Sequence, residues 1–176
     1  PYTWLSGTAD VDGQPAQRIV NGVANPSVRL SINLYGAPAL TLKEFAGWEQ
    51  DLIVGASLQV SAPLGQYDNS KLVNLGNNRW FVKPDIGISK VWGDFTLELS
   101  GGVFLFTDND DFFGGRTLEQ DPVYSSQVHA TYNIGGGVWA AVSGTYDYGG
   151  RTTIDGVRSD DFMNNSRVGA TPALPV

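Results

Sequence analysis

The residue best suited to chemistry is the single histidine, His129, in a chain without cysteine. Histidine serves as a general base or a zinc ligand, but one histidine without thiolates makes a poor zinc site. No Gly-x-Ser-x-Gly motif, which presents the nucleophile of many hydrolases, flanks it. The lack of cysteine also excludes disulfides and thiolate catalysis. We therefore expect no catalytic residue and no cofactor, and we do not expect an enzyme.

A second group with possible chemistry is the acidic run Asp108-Asn109-Asp110-Asp111. Its carboxylates could hold a divalent cation, because hard cations prefer oxygen ligands. The run lacks EF-hand spacing, since Phe112 occupies the fifth place and no glycine occupies the sixth. We treat Asp108, Asp110 and Asp111 as weak candidates and expect a solvated loop without a metal.

A third group consists of polar residues that alternate with apolar ones along extended segments. If the extended segments formed a closed β-barrel in a membrane, these residues could face its interior, where they would contact water or each other. A lysine or arginine that faced lipid at the membrane midplane would instead destabilise the barrel by about 2–4 kcal/mol. They could line a lumen and set its selectivity, or form a salt-bridged plug, because about eight strands enclose little more than side chains. The residues are Arg29, Gln59, Lys83, Asp85, Glu98, Gln127, His129 and Asp147.

The elements that would position these residues are strands. Segment 52–64 alternates strictly, with apolar residues at its even positions and mostly small or polar residues at its odd positions. A period of two predicts a strand, and this one exceeds the usual globular length of about 5–6 residues. Pro84 would need a bulge, or it would end its strand, because proline cannot donate to a ladder. The other predicted strands are 28–34, 80–88, 95–105, 124–134, 138–148 and 167–176, with a doubtful one at 2–11.

The connections alternate between short and long. Short turns are predicted near 93–94 and 135–137, with a longer one at 35–50 on the same side. Long loops rich in Asp, Asn and Gly are predicted near 65–79, 108–121 and 149–165, and another near 12–26. Short turns opposite long polar loops are typical of outer-membrane barrels. We predict one all-β domain over residues 1–176, an antiparallel up-and-down transmembrane β-barrel with about eight visible strands.

Composition agrees with a membrane barrel. Charged residues make up 16% of the chain, against about 25% in soluble domains. The net charge of −7, without a Lys/Arg cluster, argues against nucleic acid as a partner. Several aromatic residues fall near the ends of predicted strands, where rings favour the membrane interface. They are Trp80, Trp92, Phe95, Tyr124, Trp139, Tyr146 and Tyr148.

Four segments resemble a known family, the outer-membrane transporters of the meta-pathway of phenol degradation (MetA). They are residues 25–40, 53–60, 107–115 and 165–171, which keep the family's order and spacing. The resemblance implies a barrel in the bacterial outer membrane that passively transports small hydrophobic or aromatic compounds. Membrane lipid, lipopolysaccharide and a small hydrophobic molecule would be its partners. Pro172 and the end at 174–176, without a terminal aromatic, depart from the pattern, so we expect a fragment of a larger barrel.

Three other interpretations stay open at this point. A soluble lipocalin-like barrel would bind a ligand inside. A purely structural membrane barrel would have a plugged lumen. An outer-membrane lipase-like enzyme would need a serine close to His129 in space.

Overall fold

The computed structural model of the chain describes residues 2–11 and 14–175. The fold is all-β, and the described residues contain a single short helix. The strands are β1 (Tyr2–Val11), β2 (Gln14–Val23), β3 (Ser27–Tyr35), β4 (Leu52–Ser61), β5 (Phe81–Trp92), β6 (Phe95–Phe106), β7 (Asn109–Phe112), β8 (Arg116–Gln120), β9 (Val123–Gly135), β10 (Val138–Gly149), β11 (Thr152–Ile154), β12 (Val157–Arg158) and β13 (Met163–Ala173); helix α1 spans Leu42–Phe45.

The main feature is a seven-stranded antiparallel sheet with the order β13-β10-β9-β6-β5-β4-β3. Each strand pairs with the next long strand along the chain, which is the up-and-down order expected from the sequence. β3 has 9 residues and β9 has 13, close to the roughly 9–11 residues that a strand needs to cross a bilayer. Strands β3 and β13 form the two edges of the sheet.

Short turns lie at one end of this sheet. Trp92 pairs with Phe95 around Gly93-Asp94, and Gly135 pairs with Val138 around Gly136-Gly137. Gly136 and Gly137 have φ values of 61° and 81°, which glycine adopts without a steric penalty in tight hairpins. The longer connection from β3 to β4 carries α1, whose N-terminus has a capping box between Thr41 and Glu44.

No helix in residues 2–11 and 14–175 is long and apolar enough to cross a bilayer.

Long connections lie at the opposite end and are folded. We call residues 62–80, 107–122 and 150–162 the loop cap. Its second sheet has the order β12-β11-β8-β7, which the sequence did not predict because these strands are short. Asn109, only 1% exposed, joins the segments: its amide donates to Tyr67 Oη at 2.9 Å and accepts from Asn78 at 2.9 Å.

The N-terminal part differs from the sequence-based prediction. A loop was expected near 12–26, but β2 occupies most of this range and pairs with β1 as a hairpin; residues 12 and 13 lie outside the described residues. The alternation is weak here because each hairpin face mixes polar and apolar residues: Trp4 and Ser6 lie on the exposed face, and Thr3 and Leu5 lie on the more covered one. The hairpin contacts the loop cap, where the Gln66 N–H donates to Val23 O at 2.7 Å.

Pro84 lies within β5 without a bulge. It pairs with Leu58 of β4. On the β6 side, the ladder passes from Val82–Leu105 directly to Asp85–Gly102 with no change of register. The missing proline N–H is therefore accommodated by a local interruption between β5 and β6, and the strand continues as the alternation predicted.

Candidate functional site

The two faces of the seven-stranded sheet differ in chemistry. One face, which we call the apolar face, carries rows of large aliphatic side chains that are mostly uncovered. Leu30 is 70% exposed, Ile86 is 57% exposed and Val142 is 55% exposed. The other face, the polar face, carries the residues between them. Its side chains include Lys83, which is only 9% exposed, and the buried Ser61 and Ser125.

This burial pattern is the reverse of that in a soluble protein, where aliphatic residues are inside and lysine is almost never buried. A closed or curling sheet crowds the side chains on its concave side and spreads those on its convex side. Since polar side chains are crowded and aliphatic ones are spread, the polar face is the concave one. The convex face is suited to hydrocarbon.

All eight residues that the sequence singled out as lumen candidates lie on the polar face. Register shows this directly, because Gln59 pairs with both Arg29 and Lys83, and Glu98 pairs with His129. Their parity along each strand places Asp85, Gln127 and Asp147 on the same side.

One charged cluster lies towards the loop-cap end. Lys83 Nζ is 3.2 Å from Asp85 Oδ1, and Arg29 Nη2 is 3.8 Å from Asp85 Oδ2. The side chains of Lys83 and Asp85 are 11% and 10% exposed, respectively. Arg29 also donates to Ser57 Oγ at 2.7 Å. Two cations thus share one carboxylate; Lys83 and Asp85 are largely enclosed, whereas the Arg29 side chain is 54% exposed.

Nearer the short turns, Glu98, His129 and Ser143 form one row across β6, β9 and β10. His129 Nδ1 lies 2.7 Å from Ser143 Oγ. An open surface depression beside this row is lined by His129, Thr131, Asn133 and Trp139. A neighbouring groove of about 340 Å³ includes Glu98 and also reaches His129.

Aromatic residues occupy both ends of the polar face. At the loop-cap end, Phe104 and Phe106 stack with ring centroids 6.3 Å apart, and Phe81 packs edge-on against Phe104 at 5.7 Å. Lys83 Nζ lies 4.6 Å from the centre of the Phe104 ring, a cation–π contact.

Arg79 covers this aromatic cluster from the loop cap. Its guanidinium carbon lies 4.6 Å from the centre of the Phe106 ring, and it donates to Gln120 Oε1. Burial lowers the pKa of the Arg79 guanidinium, and the charge of Asp108 opposes that shift.

Two polar-face positions of importance were not recognised from the sequence. Trp139 was predicted as an interfacial aromatic, but it lies on the polar face, since it has the parity of Ser143 on β10. The sequence did contain a signal for this, because Trp139 has an odd number in a segment whose apolar face carries the even-numbered residues. Ser143 was not selected because its proximity to His129 depends on the register between β9 and β10.

The carboxylates of the acidic run 108–111 do not come together at one point. Asn109 is buried, while Asp108, Asp110 and Asp111 are exposed. Asp111 Oδ1 accepts from Asn69 at 2.6 Å. Among the residues that the structure describes, no three His, Asp or Glu side chains come together as metal ligands.

Comparison with known proteins identifies the family. The family model described as "Putative MetA-pathway of phenol degradation" matches residues 1–173. The chain belongs to this family. The MetA-family chain is also similar to the crystal structure of the COG4313 outer membrane channel from Pseudomonas putida F1, with a TM-score of 0.74 and 28% sequence identity over 88% of its residues. It spans 54% of that channel's length. None of the curated proteins matches it.

These likenesses confirm the fold class and the location. The MetA-family chain is an all-β, antiparallel outer-membrane barrel protein, located in the bacterial outer membrane. Its seven-stranded sheet has an apolar face on the convex side and a polar face on the concave side.

Proposed function

We propose that the protein passively conducts small hydrophobic or aromatic compounds across the outer membrane, and that the polar face lines its lumen. The observation that carries the proposal is the inverted burial, with exposed aliphatic rows opposite a crowded polar and charged face. The channel-like family and structural relative support it. The proposed lumen residues are Arg29, Gln59, Lys83, Asp85, Glu98, Gln127, His129 and Asp147.

Aromatic surfaces at the two ends of the polar face favour an aromatic cargo. The rings of Phe81, Phe104 and Phe106 lie below the loop cap, and Trp139 lies near the short turns. Rings on a wall otherwise rich in Ser, Thr and Gly offer stacking surfaces to an aromatic solute. Polar side chains between the two aromatic surfaces keep the passage hydrated, so a solute would not be held too tightly at either surface.

The apolar face and the loop cap suggest the other partners. Exposed aliphatic rows such as Val28, Leu30 and Ile32 would contact lipid acyl chains, because these side chains have no group that needs water. The loop cap, which carries exposed carboxylates and arginines, would lie at the level of lipopolysaccharide. We propose no nucleic-acid partner, since the negative net charge repels phosphate.

A hydrolytic enzyme is the second candidate, because Ser143 Oγ lies 2.7 Å from His129 Nδ1. Ester hydrolysis also needs N–H donors aimed at the oxyanion. The N–H groups of β9 and β10 near this pair face partner strands on both sides and serve the ladders. We therefore propose that Ser143 orients the imidazole and that the protein is not an enzyme. Hydrolysis of an ester that is lost in His129→Ala would contradict this.

Proteoliposomes test the channel proposal. Vesicles that contain the folded protein should take up phenol faster than empty vesicles or vesicles with heat-unfolded protein. Lipopolysaccharide in the outer leaflet would reduce direct diffusion through lipid. Uptake no faster than in empty vesicles would overturn the transport proposal, and it would favour a structural barrel with a plugged lumen.

A further inference from the structure

Lys90 is the one charged residue on the apolar face. In the seven strands of the main sheet, all of which lie within the described residues, every other side chain on that face is uncharged. Register fixes the side of Lys90, because it pairs with Leu52 of β4 and with Leu97 of β6. A lysine that faces lipid is costly at the midplane but costs little near the membrane interface. The position of Lys90 along β5 therefore decides what it contacts.

Lys90 lies at the short-turn end of β5, two residues before an exposed aromatic row. Trp92, Phe95 and Tyr132 pair in register across β5, β6 and β9, and they are 53%, 37% and 54% exposed. The rings of Trp92 and Phe95 stack with their centroids 6.2 Å apart. Aromatic rows of this kind mark the level at which headgroups meet hydrocarbon. The short turns of outer-membrane barrels face the periplasm, so these headgroups belong to the phospholipid leaflet.

Two contacts direct the ammonium of Lys90 towards the headgroups. It donates to Asp51 Oδ1, and Asp51 comes just before Leu52, where β4 begins at the short-turn end. Lys90 Nζ also lies 5.9 Å from the centre of the Trp92 ring. A lysine stem lies along apolar surface in this way while its charged end stays in the interface. The side chains of Lys90 and Asp51 are 28% and 78% exposed, so a cation and an anion are both open to the headgroup layer.

We propose that Lys90 and Asp51 bind the headgroup of a zwitterionic phospholipid with a primary ammonium, such as phosphatidylethanolamine. Lys90 would bind the phosphate, and the ammonium of the lipid would donate to Asp51. The acyl chains would lie along the next row towards the midplane, where Ile88 pairs with Leu99. This site does not depend on what the channel conducts.

The charges of the pair select among phospholipids. An anionic headgroup, such as that of phosphatidylglycerol, brings a phosphate to Lys90 but no cation to Asp51. The headgroup of phosphatidylcholine carries a cation without an N–H, so it cannot make a charge-assisted hydrogen bond to the carboxylate. Only a primary ammonium next to a phosphate complements both side chains.

Fluorescence quenching by brominated phospholipids tests the site in vesicles. The chain has no cysteine, so one bimane label can be attached at Leu97→Cys, next to Lys90 in register. Val142→Cys is the matched control, because Val142 lies in the same row on β10, three strands from β5. At position 97, brominated phosphatidylethanolamine should quench at about three- to fivefold lower mole fraction than the other two lipids, as expected for a partly exposed ion pair. At position 142 the three lipids should quench equally.

Charge variants connect the preference to the pair. Asp51→Asn should remove the preference for phosphatidylethanolamine and favour phosphatidylglycerol, because Lys90 keeps its charge without a competing carboxylate. Lys90→Gln should reduce the preference without favouring phosphatidylglycerol. Lys43→Gln in α1 removes a cation at the same end of the sheet and should change nothing. Each variant is first checked for the gel shift on heating that marks a folded barrel.

Equal quenching by the three lipids at position 97, or the same preference at positions 97 and 142, would overturn the site. A preference for phosphatidylethanolamine that survives in Asp51→Asn would overturn it as well. Native mass spectrometry provides a check without a label. After equilibration with an equimolar lipid mixture in detergent, the protein should retain more phosphatidylethanolamine than phosphatidylglycerol, and Asp51→Asn should reverse that ratio. An equal ratio in both proteins would contradict the proposal.

Discussion

A lysine placed on each face of the sheet distinguishes lipid from lumen. Ile86 lies near the centre of β5, which spans Phe81–Trp92. Ile86 is five positions after Phe81, the first residue of the strand, so at about 3.3 Å per residue it lies roughly 17 Å along the strand. A tilt of about 40° converts this to roughly 13 Å of depth, close to the midplane of the hydrocarbon core. Ile86→Lys therefore places a charge where hydrocarbon is thickest.

The expected cost follows from that depth. A lysine on the lipid face at the midplane destabilises a barrel by about 2–4 kcal/mol. The matched variant is Ser100→Lys on the polar face, where Ser100 pairs with Gly87 next to Ile86. This lysine faces the groove that contains Glu98, so its cost should be close to zero.

Urea unfolding in lipid vesicles measures the difference, with the heat-modifiable gel band as the readout of folded protein. Ile86→Lys should lower the free energy of unfolding by about 2–4 kcal/mol, and Ser100→Lys should leave it nearly unchanged. Equal costs for the two variants, or a larger cost for Ser100→Lys, would refute the assignment of the two faces.

Three further predictions concern charge and the loop cap. Asp85→Asn leaves Lys83 without its counter-ion, so the reversal potential in planar bilayers should shift towards anion selectivity; an unchanged potential would place this cluster outside the conduction path. Asn109→Leu should destabilise the loop cap by about 1–3 kcal/mol, because the hydrogen-bonding groups of Tyr67 and Asn78 lose their partner. Limited proteolysis should then cut the loop cap before the strands of the main sheet. A loop cap that stays uncut would contradict the role of Asn109 in joining its segments. Hydrogen bonds from Thr152 lower the pKa of Asp161, so they stabilise the cap above the ordinary pKa of an aspartate and are lost as pH falls through the lowered pKa; the protection factor of the Thr152 amide against hydrogen exchange should then fall, and a constant protection factor would refute this.

The strands of the main sheet were predictable because their signal is local and periodic. Residues 95–105 and 124–134 alternate in sequence, and β6 and β9 include both ranges. The turn at Gly93-Asp94 was equally clear, since Asp/Gly pairs favour two-residue hairpins. Strand β4, expected to reach residue 64, ends at Ser61, shortly before Pro63.

What depends on register or on packing between distant segments could not be predicted. Alternation places Lys83 and Asp85 on one face, but their approach to Arg29 requires the alignment of β3 with β4 and of β4 with β5. The same holds for Ser143 and His129. The small sheet of the loop cap has strands of 2 to 5 residues, too short for a periodic signal.

A scan of spin labels along β3 tests the central claim directly. Because the chain has no native cysteine, single cysteines can be introduced at each position from 28 to 34 of the vesicle-inserted protein. Collisions with oxygen, which concentrates in lipid, should peak at Val28, Leu30, Ile32 and Leu34, while collisions with a water-soluble nickel complex should peak at the residues between them. Protection of the aliphatic positions from both reagents would mean that a second layer of protein covers them, and it would contradict a lipid-facing wall.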